Sequence, residues 1–196
     1  MIKNKRSISH KCTTVKKVYH IKNALKKHLA ITGFMATGKS SVAKILAHRL
    51  QRDLFDTDYE VEKKAGLTIP EIFVRFGEDY FRHLERETGE ILRSYSPGTL
   101  VIATGGGFIL STENRRLLDE TAITVLLTAS SETILQRVGS DLTRPLIAGE
   151  DRKELIEKML AERERYYCLY ELSIATDGKT AEMVADEIYN RIFNAT

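Results

Sequence analysis

The chain has 196 residues, of which 42% are hydrophobic and 29% are charged. These proportions are typical of a globular protein and exclude a disordered chain, and the length suits a single domain. The sequence has no apolar run of the roughly 18 residues that a membrane span needs, so no membrane association is predicted. Two cysteines, Cys12 and Cys168, are too few for a disulfide scaffold and favour a reducing compartment, which we expect to be the cytoplasm.

The positive charge is concentrated at the amino terminus. Residues 1–29 contain nine Lys or Arg residues and no acidic residue, whereas residues 30–196 carry a net charge of −6. An acidic domain of this kind predicts no nucleic-acid partner. Residues 1–27 are polar and without periodicity, and we interpret them as a disordered basic arm. A solvated tail, a transit segment to an organelle such as a plastid, and a start codon placed too early remain open.

From residue 28 onward, apolar strand patterns alternate with helical patterns. The predicted strands are residues 29–32, 54–55, 100–103, 123–127 and 172–175. Helices are predicted at about 40–52, from a capping box at 68–71, at about 78–93, and at 131–138, 152–167 and 181–193. This alternation predicts a parallel α/β sheet that is covered by helices on both faces and binds ligands at the carboxyl ends of its strands.

The segment after the first strand fits the phosphate-binding pattern G-x-x-x-x-G-K-[ST]. It reads Gly33-Phe34-Met35-Ala36-Thr37-Gly38-Lys39-Ser40. It lies between a predicted strand and a predicted helix, which is the context that this loop requires. Its backbone N–H groups would surround phosphates at the positive end of the helix. We expect Lys39 to contact the β- and γ-phosphates and the Ser40 hydroxyl to bind Mg²⁺.

Two carboxylates follow the second predicted strand. Asp56 and Asp58 lie on either side of Thr57, and in an extended chain alternate side chains point the same way. One of them could hold Mg²⁺ through water, and the other could accept a hydrogen bond from a hydroxyl that attacks a phosphate. A helix cap formed by Asp58 is the alternative interpretation.

Further polar and glycine residues fall near other predicted strand ends. Arg82 and Glu85 share one helix face at a spacing that, by itself, usually marks a surface ion pair. Gly105, Gly106 and Gly107 follow the third strand and could bring backbone N–H groups close to a ligand, although a flexible turn has the same pattern.

Three arginines in the second half of the chain are candidates for contacts with phosphates or substrate. Arg144 lies in a segment with glycines at its ends, about residues 139–150, that has the character of a lid. A lid arginine can neutralise the charge of a phosphoryl group in transfer. For Arg137, Arg144 and Arg163 alike, an ordinary surface position is the alternative. The five histidines and two cysteines show no metal-ligand spacing.

Taken together, the motifs resemble the shikimate kinase family over about residues 28–196. The matching segments are GFMATGKSS, FDTD, GLTIPEIFVRFGEDYFRHLE, ATGGG, TRPLIAG and AERERYY. The resemblance implies a three-layer αβα fold with a five-stranded parallel sheet in the order 2-3-1-4-5, a P-loop and a mobile lid. It also implies a monomer that transfers the γ-phosphoryl group of ATP to the 3-hydroxyl of shikimate, with Mg²⁺ as cofactor, in aromatic amino acid biosynthesis.

The resemblance assigns a role to each matched residue. The catalytic set is Lys39, Asp58 as the base, and Arg144. The ATP-binding set is Gly33, Ala36, Thr37, Gly38, Lys39, Ser40, Ser41, Arg137 near adenine, and Arg144. The shikimate-binding set is Asp58, Arg82, Glu85 as the acid that orients Arg82, Gly105, Gly106, Gly107 and Arg163. The metal-binding set is Ser40 and Asp56.

One family motif departs from its usual form, and two other functions remain open. The pattern R-x-P-L-Y reads Arg163-Glu164-Arg165-Tyr166-Tyr167 here, so Arg165 competes with Arg163 for the same role. A related kinase for gluconate or a nucleoside monophosphate would use the arginines to hold a phosphate instead of a carboxylate. A catalytically silent, kinase-like binding module would bind both ligands without turnover.

Overall fold

A computed structural model describes residues 26–139 and 151–194. Its five strands form one parallel sheet in the order β2-β3-β1-β4-β5, which confirms the predicted α/β fold and strand order. The strands are β1 (His28–Gly33), β2 (Asp53–Asp56), β3 (Leu100–Ala103), β4 (Ala122–Thr128) and β5 (Ser173–Ala175). The predicted arm up to residue 25 and the predicted lid from residue 140 lie outside the described residues.

Seven α-helices are present in the described part of the chain. They are α1 (Lys39–Leu50), α2 (Thr57–Ala65), α3 (Ile69–Glu90), α4 (Thr112–Thr121), α5 (Ser131–Val138), α6 (Arg152–Tyr167) and α7 (Ala181–Phe193). Short 3₁₀ turns at Ile91–Ser94 and Phe108–Leu110 follow α3 and precede α4. The helical patterns did not predict α2 or α4, because each buries only two or three residues and shows no apolar stripe.

The sheet is covered on both faces, as predicted. Leu29 and Ile31 of β1 pack with α1 and α7 in one buried cluster, whereas Ala30 faces a second cluster with Phe108 and Leu117. This alternation follows from the two-residue period of a strand. The carboxyl ends of the strands therefore meet at one open edge, where the loops after β1, β2, β3 and β4 lie together.

Helix α3 changes direction within its length. It begins at the predicted capping box, in which the backbone N–H of Thr68 donates to Glu71 Oε2 at 2.8 Å. Gly77 then takes a φ of 81°, so the residues from Glu78 onward form a separate helical segment, close to where a second helix was predicted. This second segment buries Phe81 against its neighbours and carries the candidate site residues of α3 toward the open edge of the sheet.

Within residues 26–139 and 151–194, no helix combines the length and apolar character that crossing a membrane would require.

Candidate active site

The loop after β1 is folded as a phosphate-binding loop. Gly38, with a φ of 91°, precedes α1 and provides no side-chain cap, so the first N–H groups of the helix face the loop. The Thr37 hydroxyl and Lys39 Nζ each donate to the carbonyl of Phe34 at 2.8 Å. These bonds close the loop into a compact hollow with the Lys39 side chain at its base, and the hollow suits an anion.

The next strand places a carboxylate beside this loop. The Ser40 hydroxyl donates to Asp56 Oδ2 at 2.8 Å, which brings together the two predicted metal-binding residues. Asp56 Oδ1 accepts from the backbone N–H groups of Asp58 at 3.0 Å and Tyr59 at 3.4 Å. Asp56 is therefore the N-cap of α2, and the alternative interpretation of Asp58 as a helix cap is wrong.

The chain also does not stay extended past Asp56, as the alternation argument assumed. Helix α2 begins at Thr57, so Asp58 lies in the first helical turn and not on a continued strand. The Thr57 hydroxyl accepts a hydrogen bond from the backbone N–H of Gly105 at 2.7 Å. This bond ties the start of α2 to the loop after β3 and brings Asp58 against that loop.

The Ser40–Asp56 pair fits a magnesium ion better than a transition metal. Both side chains offer hard oxygen ligands next to a phosphate-binding loop, which is the usual setting for Mg²⁺. In the part of the chain that the structure describes, no group of three or more His, Cys, Asp or Glu side chains could hold a metal ion. A cation at this point would therefore take its remaining ligands from phosphate oxygens and water, as Mg²⁺ commonly does.

A second group of charged residues lies beside the loop after β3. Arg82 Nη1 donates to Glu85 Oε2 at 2.6 Å, and Arg82 Nη2 donates to Glu78 Oε1 at 2.8 Å. Burial works against the charged form of Arg82, but its two acidic partners raise its pKa overall. The predicted i, i+3 pair is thus a part-buried ion pair at the site, with only 2% of the Glu85 side chain exposed.

Glycine is required after β3 because charged side chains approach the backbone of this loop closely. A Cβ at Gly105 would overlap the Asp58 carboxylate and come within 2.9 Å of Glu85 Oε1. A Cβ at Gly107 would lie 2.7 Å from Arg82 Nη2. Side chains at these positions would fill the space in which the charged groups meet, so this backbone forms the floor of a polar pocket.

Arg163 on α6 reaches the same pocket from the other side. Its Nη1 donates to the carbonyl of Gly106 at 3.0 Å, and its guanidinium lies 5.0 Å from the ring centre of Phe34 in the phosphate loop. Its sequence rival Arg165 instead stacks on the ring of Tyr166 at 4.7 Å and donates to the hydroxyl of that tyrosine. The structure therefore brings Arg163, and not Arg165, to the site.

Glu85 is a buried carboxyl group of the pocket with a raised pKa. Burial raises its pKa to about 7, although the neighbouring Arg82 works in the opposite direction. The negative charges of Asp58 and Glu78 make smaller contributions to the same raised pKa. Glu85 Oε1 is buried without a hydrogen-bond partner among the described residues, which disfavours the charged carboxylate and agrees in direction with the raised pKa.

A separate cavity of about 260 Å³ lies beside the phosphate loop. Arg137 donates to the carbonyl of Ala36 at 3.2 Å and to the carbonyl of Thr176 at 2.7 Å, so it joins the loop to the segment after β5. Thr176, Lys179 and Thr180 line the cavity and were missed as site residues. Their position directly after the last strand was the signal that could have identified them.

The last of the predicted site residues, Arg144, lies outside the described residues. Around the open edge, the remaining predicted residues fall into two neighbouring pockets, one suited to polyphosphate and one to a small ligand that carries both an anionic group and hydroxyls. A parallel α/β sheet with this pair of pockets defines a P-loop kinase of small molecules.

Comparison with known proteins identifies the family. The sequence model of the shikimate kinase family matches residues 35–193. The chain is 40% identical over 162 residues to a shikimate kinase of Caldanaerobacter subterraneus, covering 83% of this chain and 94% of that protein. It is 44% identical over 163 residues to a shikimate kinase of Geobacter metallireducens, covering 83% and 89%. The chain therefore belongs to the shikimate kinase family.

A solved structure supports the same assignment. Shikimate kinase from Acinetobacter baumannii, determined in complex with shikimate, superposes with a TM-score of 0.82 at 34% identity, covering 89% of this chain and 98% of that one. The family resemblance inferred from the motifs is confirmed. The chain is a kinase, and its family carries out the ATP-dependent phosphorylation of shikimate in aromatic amino acid biosynthesis.

Proposed function

We propose that the chain transfers the γ-phosphoryl group of ATP to the 3-hydroxyl of shikimate. One observation carries the proposal beyond family membership. Arg82 and Arg163 approach the Gly106–Gly107 backbone from different helices, and Asp58 lies against Gly105, the preceding residue of the same loop. A ligand between them would meet two guanidinium groups at one end and a carboxylate at the other, which matches an acid that also carries hydroxyls.

In this proposal the two arginines hold the shikimate carboxylate. Guanidinium groups form paired, charge-assisted hydrogen bonds with a carboxylate, and the partial burial of both arginines strengthens those bonds. Glu85 is bonded to Arg82 at 2.6 Å and would fix the orientation of its guanidinium. The backbone of Gly105, Gly106 and Gly107 would bring N–H groups against the ring.

Asp58 would bind the attacking hydroxyl and act as the base. The hydroxyl oxygen forms a bond to the γ-phosphorus, the bond from that phosphorus to the β–γ bridging oxygen breaks, and ADP leaves. The proton of the hydroxyl passes to the Asp58 carboxylate. Because phosphoryl transfer has a loose transition state, most of the rate enhancement would come from positioning and from positive charge near the phosphates.

The phosphates would be held by the loop of residues 33–40, with Lys39 at the β- and γ-phosphates and Ser41 at the start of α1. Ser40 and Asp56, which are 2.8 Å apart, are the residues that would hold Mg²⁺, Ser40 directly and Asp56 through water. When bound, the ion would neutralise charge on the phosphate oxygens. Arg137 would lie near the adenine end, and Arg144 would contact the phosphates.

The test is ADP release with Mg²⁺ and ATP across four acceptors: shikimate, gluconate, AMP and CMP. Turnover with shikimate alone is the expected result. Turnover with gluconate or a nucleoside monophosphate would show that the acceptor is not shikimate and that the two arginines do not serve as a shikimate carboxylate site. Binding of ATP and shikimate without turnover would favour the silent binding module.

Three other expectations stay predictions of the sequence and its family resemblance. They are a monomeric state, a cytoplasmic location, and a boundary between the basic arm and the domain near residue 28. Sedimentation of the full chain over a range of concentrations tests the first, and limited proteolysis, which cuts accessible arms first, tests the last.

A further inference from the structure

A second and larger cleft opens at the opposite end of the sheet from the candidate active site. Its volume is about 680 Å³, and it lies at the amino ends of β1 and β4. Residues after α3, at the end of α4, in β4 and after α6 form its walls, including Leu92, Tyr95, Asp119, Thr124, Leu169 and Tyr170. Neither the family motifs nor the proposed reaction uses any of these residues.

The lining of this cleft contains both hydroxyl groups without a partner in the described part of the chain and exposed large side chains. The hydroxyls of Thr124 and Tyr170 are buried but have no hydrogen-bond partner among the described residues, which is costly for a folded protein. Two large apolar side chains of the lining are also exposed, Leu169 by 62% and Tyr95 by 40%. Both features are typical of a surface that another segment covers.

The chain enters the described structure at the edge of this cleft. Lys26 and Lys27 belong to its lining. Lys27 Nζ donates to the carbonyl of Asp119 at 2.7 Å, and the carbonyl of Lys27 accepts from Arg52 at 3.0 Å. Residues 1–25 are therefore tethered to the edge of the cleft, and a short tether gives an effective concentration of the order of millimolar.

The tethered segment also complements the cleft in chemistry. Residues 1–25 contain seven Lys or Arg residues and no acidic residue. The lining of the cleft contains the carboxylates of Asp119, Glu120 and Glu171 and the cations of Lys26, Lys27 and Arg93. Glu120 is paired with Arg93, whereas Asp119 and Glu171 form no ion pair with another described residue. Next to the tether, the sequence carries apolar side chains that could cover the exposed apolar lining: Val18, Tyr19, Ile21 and Leu25.

We propose that residues 15–25 bind in this cleft as an intramolecular partner. Their apolar side chains cover Tyr95 and Leu169, and their lysines lie near Asp119 and Glu171. The basic arm is then a docked part of the protein on the face opposite the active site, and not a solvated tail.

Cys12, three residues before this segment, allows a direct test in the full chain. With Cys168 replaced by serine, a nitroxide on Cys12 reports the mobility of the arm by electron paramagnetic resonance. The paired change Asp119→Asn with Glu171→Gln removes the acidic partners of the cleft. The matched control, Glu162→Gln with Glu164→Gln, removes the same charge from exposed positions on α6. The change Val18→Ser with Ile21→Ser weakens the apolar contact.

We expect the label to move slowly in the parent and control chains. It should move at least about threefold faster in the cleft variant, in the apolar variant and in high salt. Hydrogen exchange at residues 119–124 and 169–171 should rise in the same variants. A label that is equally mobile in every chain would overturn the proposal. Slow motion that depends on protein concentration would instead identify a second copy as the occupant, and protection of the cleft beside a mobile arm would identify a small molecule. Both results would also overturn it.

Discussion

Arg82 and Glu85 form an ion pair in which only one of the two carboxylate oxygens of Glu85 has a hydrogen-bond partner among the described residues. Arg82 Nη1 contacts Glu85 Oε2 at 2.6 Å, whereas Glu85 Oε1 is buried and has no hydrogen-bond partner among the described residues. Loss of water therefore outweighs the attraction of Arg82, and the pKa of Glu85 rises to about 7. A group that would orient the substrate-binding arginine thus changes its charge near neutral pH.

This titration should appear in the stability of the protein. The pKa of Glu85 is about 7 in the folded chain against an ordinary value of 4.5, so the folded chain binds more protons between these values. The contribution of Glu85 is fully present below pH 4.5 and is lost as the pH rises through 7. Glu85→Gln cannot ionise, and its stability relative to the parent should increase by about 2–3 kcal/mol across this window. Urea unfolding at several pH values measures the difference; a constant difference would contradict the assignment.

His28, at the other end of the sheet, should make a contribution to folding stability that depends on pH in the opposite direction. Its Nδ1 accepts from the backbone N–H of Leu100 at 3.2 Å, and burial together with Arg52 lowers its pKa below 6.5. Its stabilising contribution is therefore present above pH 6.5 and is lost as the pH falls. His28→Gln should lose less stability than the parent between pH 7 and pH 5, measured by urea unfolding.

Removal of the proposed base should separate chemistry from nucleotide binding. Asp58→Asn keeps the shape of the side chain but cannot accept the proton, so kcat should fall by about 10²–10⁴-fold. ATP affinity, measured by calorimetry, should stay within about twofold, because Asp58 does not line the nucleotide cavity. Asp79→Asn, which removes an exposed carboxylate from α3, should leave both values unchanged. Full turnover of Asp58→Asn would exclude Asp58 from the reaction.

Arg82 and Arg163 should affect the KM for shikimate and not the KM for ATP. Arg82→Ala and Arg163→Ala each remove a guanidinium from the proposed carboxylate site and should raise the KM for shikimate by about 30-fold or more. The KM for ATP should change by less than about threefold. Arg165→Ala provides the matched control because its guanidinium stacks on Tyr166 outside the pocket. Equal effects of Arg163→Ala and Arg165→Ala would show that the pocket is assigned incorrectly.

Asp56 should determine the magnesium requirement. Asparagine is as good a helix cap as aspartate, so Asp56→Asn preserves the start of α2 while removing the charge beside Ser40. The Mg²⁺ concentration for half-maximal activity should rise by about tenfold or more, with little change in thermal stability. Titration of activity with Mg²⁺ and a melting curve test the two parts. An unchanged Mg²⁺ requirement would remove Asp56 from the metal site.

Several features could be predicted from local patterns because local physics determines them. The phosphate loop, the capping box at Thr68 and the alternation of strands and helices each depend on residues that are close in the chain. Helices α2 and α4 were missed because their burial comes from contacts that no periodic pattern records. The sequence pattern also did not identify Asp56 as the helix cap and offered Asp58 only as an alternative, since the strand and the helix meet there without a linker.

The composition of the site was predictable, but its assembly was not. Motif and spacing specify chemical groups, so the residues that could serve a phosphoryl transfer were identifiable without the structure. The folded chain was needed to establish that Arg163 and not Arg165 reaches the loop after β3, that burial raises the pKa of Glu85 to about 7, and that Thr176 lies beside the nucleotide cavity. These outcomes depend on distances between segments that are far apart in the chain. The free energy of such contacts comes from burial, which arises only when those segments pack together.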